Sequence, residues 1–391
     1  MHLVFATSIV PTGQLSTGYE IANAAIVDAL RRAGVRVTML GFIWPGAVPS
    51  DPDDTVVLGE VDVRTDNAGG VQKAAWLLKA MSSGLTFSSV KLRSVSPEAA
   101  ATALDAVGPF DGFVINAVQF AGAFENLFAG KPSIVVAHNV EYRSAEENAA
   151  AARGLMQKVI YQREARLLAG IEMRLCASAG FVWTLADEDR TLLGVDRPGR
   201  SSALSLVTRL SPPPAPAPRA VDCDAALIGT WTWQPNRIGL DWFLERVVPH
   251  LPPDFTVRIA GNMPSGIASR HPGISFAGFV PDAVDFVRRG RVVPLISRAG
   301  TGVQLKTIET FELGLPSVAT TRSLRGIAAR PSNCIVADDP EAFAAALVQA
   351  AKAPPPDADG RIFHAAQRAA LDREIGRGLA HLHVRVGGAA A

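Results

Sequence analysis

The sequence predicts an α/β protein made of two consecutive parallel-sheet units, and three observations carry that prediction. Short runs rich in β-branched and aromatic residues alternate with helical patterns along most of the 391 residues, the order that calls for parallel strands joined by crossover helices. A proline-rich stretch, Ser211-Pro-Pro-Pro-Ala-Pro-Ala-Pro218, interrupts the alternation, which then restarts. The 48% hydrophobic content comes with 34 Gly and 27 Pro, as expected for short elements and many turns, and the length suffices for two cores.

Taken in order, residues 3–7 read as a strand, 8–18 as a loop and 19–33 as a helix. Its apolar stripe is Ala22, Ile26, Ala29, Leu30 and Ala33, and Gly34 stops it. Strands follow at 35–40, 113–115 and 133–137, while 41–110 shows no clear period. One long helical stretch covers 145–178, followed by a strand at 181–184 and a short acidic-started helix at 187–193. Beyond the prolines, strands at 225–229, 255–260, 274–277, 292–296 and 317–320 alternate with helices at 237–251, 281–289 and 303–313. Helices near 340–352 and 360–379 close the chain. The expected boundaries are therefore 1–210 for a first Rossmann-like domain, 211–220 for a linker and 221–391 for a second, with the last helix able to pack back on the first.

Lys plus Arg (38) nearly cancels Asp plus Glu (37), so no overall charge drives the chain toward nucleic acid, and no interleaved aromatic and basic pattern points there. Cys176, Cys223 and Cys334 lie far apart, without neighbours at metal-ligand spacing, and read as reduced core residues. No basic leader is present and no apolar run reaches the roughly 18 residues of a membrane span, so the expectation is a cytoplasmic protein. The stretch holding Lys73, Trp76, Leu77, Leu78, Lys79, Met81, Lys91 and Arg93 fits two readings. It is a core helix with solvated lysines, or an amphipathic segment on the inner face of a membrane.

The chemistry concentrates in Ser297-Arg-Ala-Gly-Thr-Gly-Val-Gln-Leu-Lys306-Thr-Ile-Glu309, a strand end, a glycine-rich turn and a helix. Gly300 and Gly302 permit close backbone approach, and the first amides of the helix point at whatever fills the turn, an arrangement suited to a diphosphate. Lys306 and Glu309, three residues apart, share a helix face. The ammonium can neutralise phosphate, and the carboxylate can accept two ribose hydroxyls.

Several further segments occur in a telling order. His138-Asn-Val-Glu-Tyr142 follows a strand, and Trp183-Thr-Leu-Ala-Asp-Glu-Asp189 closes the first half. Gly229-Thr-Trp-Thr-Trp-Gln-Pro-Asn236, with Trp242-Phe243 beyond, opens the second half, and Ala277-Gly-Phe-Val-Pro-Asp282 precedes the glycine-rich segment. With these segments, residues 130–330 resemble bacterial family 4 glycosyltransferases, particularly the branch that builds surface and exported polysaccharides. The resemblance implies a GT-B fold, two Rossmann-like domains facing each other across a cleft. It also implies transfer of a sugar, with retention, from a nucleoside-diphosphate sugar to a saccharide or lipid-linked saccharide.

By that resemblance Lys306 would hold the donor diphosphate, Glu309 the ribose, and the backbone at Gly300, Thr301, Gly302 and Val303 the phosphate or sugar. The base would lie against backbone near Phe279 and Val280. His138 would face the cleft near the donor sugar, while Glu141 would contact acceptor or cap the next segment. Gly13, in the small-residue loop Pro11 to Gly18, would leave room for the transferred sugar. Two departures stand out. The family often carries glutamates eight apart, but Thr301 stands eight before Glu309. Thr230 and Asn236 stand where Arg and Lys are common, which makes Arg237 the nearest replacement cation. The expected enzyme needs no cofactor and no metal, and it leans on Lys306, Arg237 and the helix N-terminus to stabilise the departing diphosphate. The alternatives are a catalytically silent sugar-nucleotide-binding partner, or an epimerase or hydrolase on the same architecture.

Overall fold

The computed structural model describes residues 1–13, 17–64, 68–152 and 154–388, with side chains through Leu382. The chain divides into one unit of residues 1–206 with 370–391 and a second of residues 207–369.

In the first unit, strands β1 (His2–Ile9), β2 (Arg36–Ile43), β3 (Thr55–Glu60), β4 (Gly112–Asn116), β5 (Ser133–Ala137), β6 (Phe181–Thr184) and β7 (Ser201–Ala203) form one parallel sheet in the order β3-β2-β1-β4-β5-β6-β7. Helices α1 (Gly18–Arg32), α2 (Gly70–Ser83), α3 (Phe87–Leu92), α4 (Pro97–Asp105), α5 (Val118–Ala123), α6 (Glu141–Ala151), α7 (Leu155–Ser178) and α8 (Asp187–Leu192) cross between strands. The central strands read as almost unbroken apolar runs because helices cover both their faces. Phe5, Phe42, Phe113, Phe120 and Phe181 are fully buried in this unit.

A capping box starts α1. Thr17 accepts from the Glu20 amide, and the Glu20 carboxylate accepts from the Thr17 and Thr12 hydroxyls at 2.9 and 3.0 Å. The single helix expected at 145–178 is instead two, α6 and α7. The chain leaves helical geometry at Ala152, and Gly154, in extended conformation, starts α7. The start of α6 has no cap of its own. The buried Glu172 carboxylate on α7 accepts from the Glu141 and Tyr142 amides at 2.8 and 3.0 Å.

The second unit holds β8 (Cys223–Thr230), α9 (Gln234–Trp242), β9 (Val257–Asn262), β10 (Ile274–Gly278), α10 (Ala283–Arg288), β11 (Gly290–Leu295), α11 (Leu305–Glu312), β12 (Ser317–Ala319), β13 (Cys334–Val336) and α12 (Pro340–Lys352). Its parallel sheet runs β10-β9-β8-β11-β12-β13. The last helix, α13 (Gly360–Gly388), begins in this unit, and its residues from Ala370 on belong to the first. There the Trp183 indole donates to the Glu374 carbonyl at 3.0 Å.

The helix expected over 237–251 is α-helical only to Trp242. A π turn, Phe243–Val247, and a 3-10 turn, Val248–His250, complete it, because Pro249 has no amide proton with which to continue the ladder. Arg219, at the end of the proline-rich stretch, ties that segment to the sheet. Its guanidinium pairs with Asp357 at 2.9 Å and donates to the carbonyls of Arg288 and Gly290. All three cysteines are free and buried. Among the described residues no helix is long and apolar enough to cross a membrane.

Candidate functional site

Strand order fixes where the second unit can bind a ligand. The sheet winds outward in opposite directions from β8 and β11, so the segments leaving their carboxyl ends part and open a crevice. Two glycines let α9 and the β11 loop approach at that point. A Cβ on Gly239 would lie 2.4 Å from the Ile296 carbonyl oxygen, and one on Gly300 would lie 3.1 Å from Pro235. Gly300 and Gly302 also hold φ of +88° and +72°, which non-glycine residues rarely adopt.

Trp231 is rooted beside this turn. Its amide donates to the Asn262 carbonyl and its indole to the Ala260 carbonyl, both at 2.8 Å, which leaves the ring buried and fixed. The Lys306 ammonium sits 5.0 Å from the centre of that ring. It also donates to the Asn236 side-chain oxygen at 3.4 Å, while the amide of Asn236 is held by the Thr230 carbonyl at 3.1 Å. Burial lowers the Lys306 ammonium to about 8, so it is a cation held in partly dry surroundings.

Glu309 is partly buried one helical turn on. Burial pushes its carboxyl up, Arg209 draws it back down, and Asp282 adds to the rise. Asp282 caps α10 and belongs to the loop that carries Phe279, 87% exposed, and Val280. That loop therefore lies within electrostatic reach of Glu309.

The structure gathers Lys306, Glu309, Gly300, Thr301, Gly302, Val303 and Thr230 around the carboxyl ends of β8 and β11. Arg237 stands apart in its contacts, bound to Asp241 at 2.6 Å along its own helix. Three arginines were not singled out from sequence. Arg209 acts on Glu309, and Arg322 and Arg325, from the turn after β12, both donate to the Gly300 carbonyl. Their signal in the sequence was only a pair of cations after a strand.

Glu312, on the buried side of α11, clamps the segment entering the unit. It accepts from the Thr208 amide at 2.9 Å and from the Thr208 hydroxyl, and burial pushes its carboxyl up to about 7. Because that value lies above the usual carboxylate range, the ionisable Glu312 contributes most to stability below pH ~4.5 and loses this as pH rises through ~7. The loss is on the order of 3 kcal/mol. Calorimetry from pH 5 to 8 should show a falling midpoint for the second unit, and Glu312→Gln should flatten that fall.

In the first unit the equivalent divergence lies between β1 and β4. His138 directly follows β5 and is 7% exposed, with Nε2 2.8 Å from the Asn116 side-chain oxygen and its ring 4.8 Å from that of Tyr19. Burial lowers its imidazole to about 4. Ala117, next to Asn116, has φ +68°, a conformation costly for a residue with a Cβ. Glu141 starts α6, and burial raises its carboxyl against bonds to Gln119 and Asn139. Gly13 lies beside a bridge between Thr12 and Pro49, and residues 14–16 of its loop lie outside the described residues. In the basic stretch, Lys91 turns inward to the Val63 carbonyl at 2.7 Å, and Lys79 donates to the Arg93 carbonyl at 2.8 Å.

The family model for glycosyl transferases group 1 matches residues 224–353, the body of the second unit. Among solved structures, the chain is similar to the pneumococcal O-GlcNAc transferase GtfA in complex with UDP and GlcNAc, at 11% identity over 99% of both chains with a TM-score of 0.58. It is also similar to Anabaena HepE in complex with UDP-glucose, at 12% identity, covering 97% of this chain and 99% of that one, with a TM-score of 0.55.

The fold is GT-B.

A third GT-B structure, the α,α-trehalose-phosphate synthase (UDP-forming) from Burkholderia xenovorans in complex with glucose-6-phosphate, matches at 11% identity over 97% of this chain and 99% of that one, with a TM-score of 0.55. No curated protein sequence matches the chain.

Proposed function

We propose that the chain is a glycosyltransferase that takes a sugar from a nucleoside-diphosphate donor and passes it to a saccharide or lipid-linked saccharide. The observation that carries this reading is the Lys306 ammonium. It is braced by Asn236 and the Trp231 ring beside two positive-φ glycines, inside the segment matched by the group 1 model. A cation in partly dry surroundings, beside a glycine turn that leads into a helix N-terminus, stabilises negative charge developing on a departing diphosphate with little reorganisation. Arg322 and Arg325 support it by fixing the Gly300 carbonyl, which orients the turn. The sequence resemblance supports a role for His138 toward the transferred sugar.

The finer assignment, to the family 4 branch with retention and a role in surface polysaccharide synthesis, rests on the ordered motifs of the sequence. Val71, Leu78 and Met81 are exposed along α2 near Lys73, and they support a peripheral membrane contact.

The test is a thermal-shift and calorimetric screen over uridine, guanosine and adenosine diphosphates and their sugars, followed by donor turnover. Saturable binding of one diphosphate with release of its sugar supports the proposal, and binding without turnover across an acceptor panel identifies a silent partner instead. Glu309→Gln should weaken the preferred diphosphate by about 10-fold to 100-fold, the loss of hydrogen bonds to a charged acceptor. It should also erase discrimination between ribose and 3′-deoxyribose forms. Retained discrimination in Glu309→Gln would show that the ribose lies elsewhere.

A further inference from the structure

His138 belongs to a chain of side-chain amides that begins at a backbone carbonyl. The side-chain nitrogen of Asn23 donates to the Ile9 carbonyl at 3.2 Å and to the Thr7 hydroxyl at 3.1 Å. A carbonyl oxygen can only accept, so the opposite rotation of the Asn23 amide would set oxygen against oxygen. The Asn23 oxygen is thereby committed, and it accepts from the Asn116 side-chain nitrogen at 2.8 Å. That nitrogen also contacts the Tyr19 and Thr7 hydroxyls at 2.9 and 3.1 Å. The Asn116 oxygen is then the atom 2.8 Å from His138 Nε2. Thr7, Asn23 and Asn116 are fully buried, so water cannot compensate a wrong orientation at any link.

We infer that Asn23 and Asn116 are positioning residues that read the Ile9 carbonyl and set the tautomer of His138, with the proton on Nε2 and the lone pair on Nδ1. Nδ1 is then an acceptor in whatever hydrogen bond it makes, a partner for a hydroxyl or an N–H and not for a phosphate or carboxylate oxygen. The choice of hydroxyl rests on the reading of His138 given above, whereas the tautomer follows from the amide chain. The remaining groups agree. Burial keeps the Tyr19 phenol protonated by raising it, and burial keeps the imidazole neutral across the physiological range. No proton need move for this role, which makes His138 an orienting acceptor and not a general acid.

Long-range proton–nitrogen correlation spectra of the full chain test the tautomer directly, with the His138 signals assigned by their loss in His138→Gln. The expected pattern from pH 5.5 to 8.5 is a pyrrole-type Nε2 and a pyridine-type Nδ1. A pyridine-type Nε2, or an imidazolium at pH 7, overturns the inference. Asn116→Leu should move both nitrogens toward the averaged shifts of a tautomer mixture and lower kcat about 10-fold or more with the nucleotide Kd unchanged. Asn23→Leu, one link further back, should do the same in smaller measure. Unchanged nitrogen shifts in these variants would also overturn the inference. The wild-type spectrum decides even if both variants misfold. Full turnover in His138→Gln with the expected tautomer would refute the sugar-orienting role and leave the amide chain standing. The reverse result, lost turnover with the proton on Nδ1, would refute the amide chain and leave the role.

Discussion

Replacing Lys306 by alanine is expected to weaken nucleoside diphosphate binding by about 30-fold to 150-fold, the 2–3 kcal/mol of a charge-assisted contact in a partly dry site. Loss of sugar transfer should be larger, because the same charge meets more negative charge in the transition state than in the bound donor. The fold should survive. Lys306 forms one long hydrogen bond to Asn236 and faces the Trp231 ring, so its removal relieves a desolvated ammonium and opens no core cavity. The pH dependence has a definite sign. With the free ammonium lowered to about 8, charge is present below that value and is lost as pH rises through it. Diphosphate affinity should therefore fall above pH ~8, and Lys306→Ala should lack that limb. Titration calorimetry at pH 6.5, 7.5, 8.5 and 9.5 checks both statements, and an unchanged Kd in the variant removes Lys306 from the site.

The second large effect is structural and is expected at Gly261. This residue holds φ +112°, and a Cβ on it would lie 2.0 Å from the Gly229 carbonyl oxygen, across the β8 and β9 pairing. An alanine incurs both a disallowed backbone conformation and a backbone clash, together about 3 kcal/mol or more. For a unit of this size that lowers the melting midpoint by roughly 6–12 °C. The damage reaches the site as well. The two carbonyls that root Trp231, those of Ala260 and Asn262, flank Gly261 on either side, so the Lys306 platform should shift with the strand. Differential scanning calorimetry with a diphosphate titration measures both effects. A Gly261→Ala protein with native midpoint and affinity would contradict this account of the β8–β9 pairing.

The parts of the fold that the sequence announced share a physical cause. Strands β5 and β6 and helix α12 lie within apolar runs bounded by glycine, proline or a capping residue, and their observed limits coincide with those read from the sequence. Residues 55–60 gave no period because β3 sits at the sheet edge, where no residue is fully buried and the alternation fades. Strand β13 has three residues, too few to show any pattern.

The candidate site divides along the same line. Lys306 and Glu309 were legible because helical spacing alone puts them on one face. The contact of Asn236 with Lys306, and those of Arg322 and Arg325 with Gly300, join residues on different elements, and no local rule couples them. The amides that orient His138 are harder still to read. Asn23 and Asn116 lie 93 positions apart, and each by itself looks like a helix polar residue or a strand terminus.

The two halves share one winding scheme. Each sheet begins with a strand that ends up in its middle, proceeds to one side, then resumes beside the starting strand and proceeds to the other. The residues discussed as ligand contacts lie at or beyond the carboxyl ends of strands, so backbone order and chemical selectivity are encoded in largely separate positions. Mutations that alter which sugar or which base is accepted can therefore accumulate at the strand tips without eroding the scaffold, a freedom that a site built from mid-strand side chains would not have.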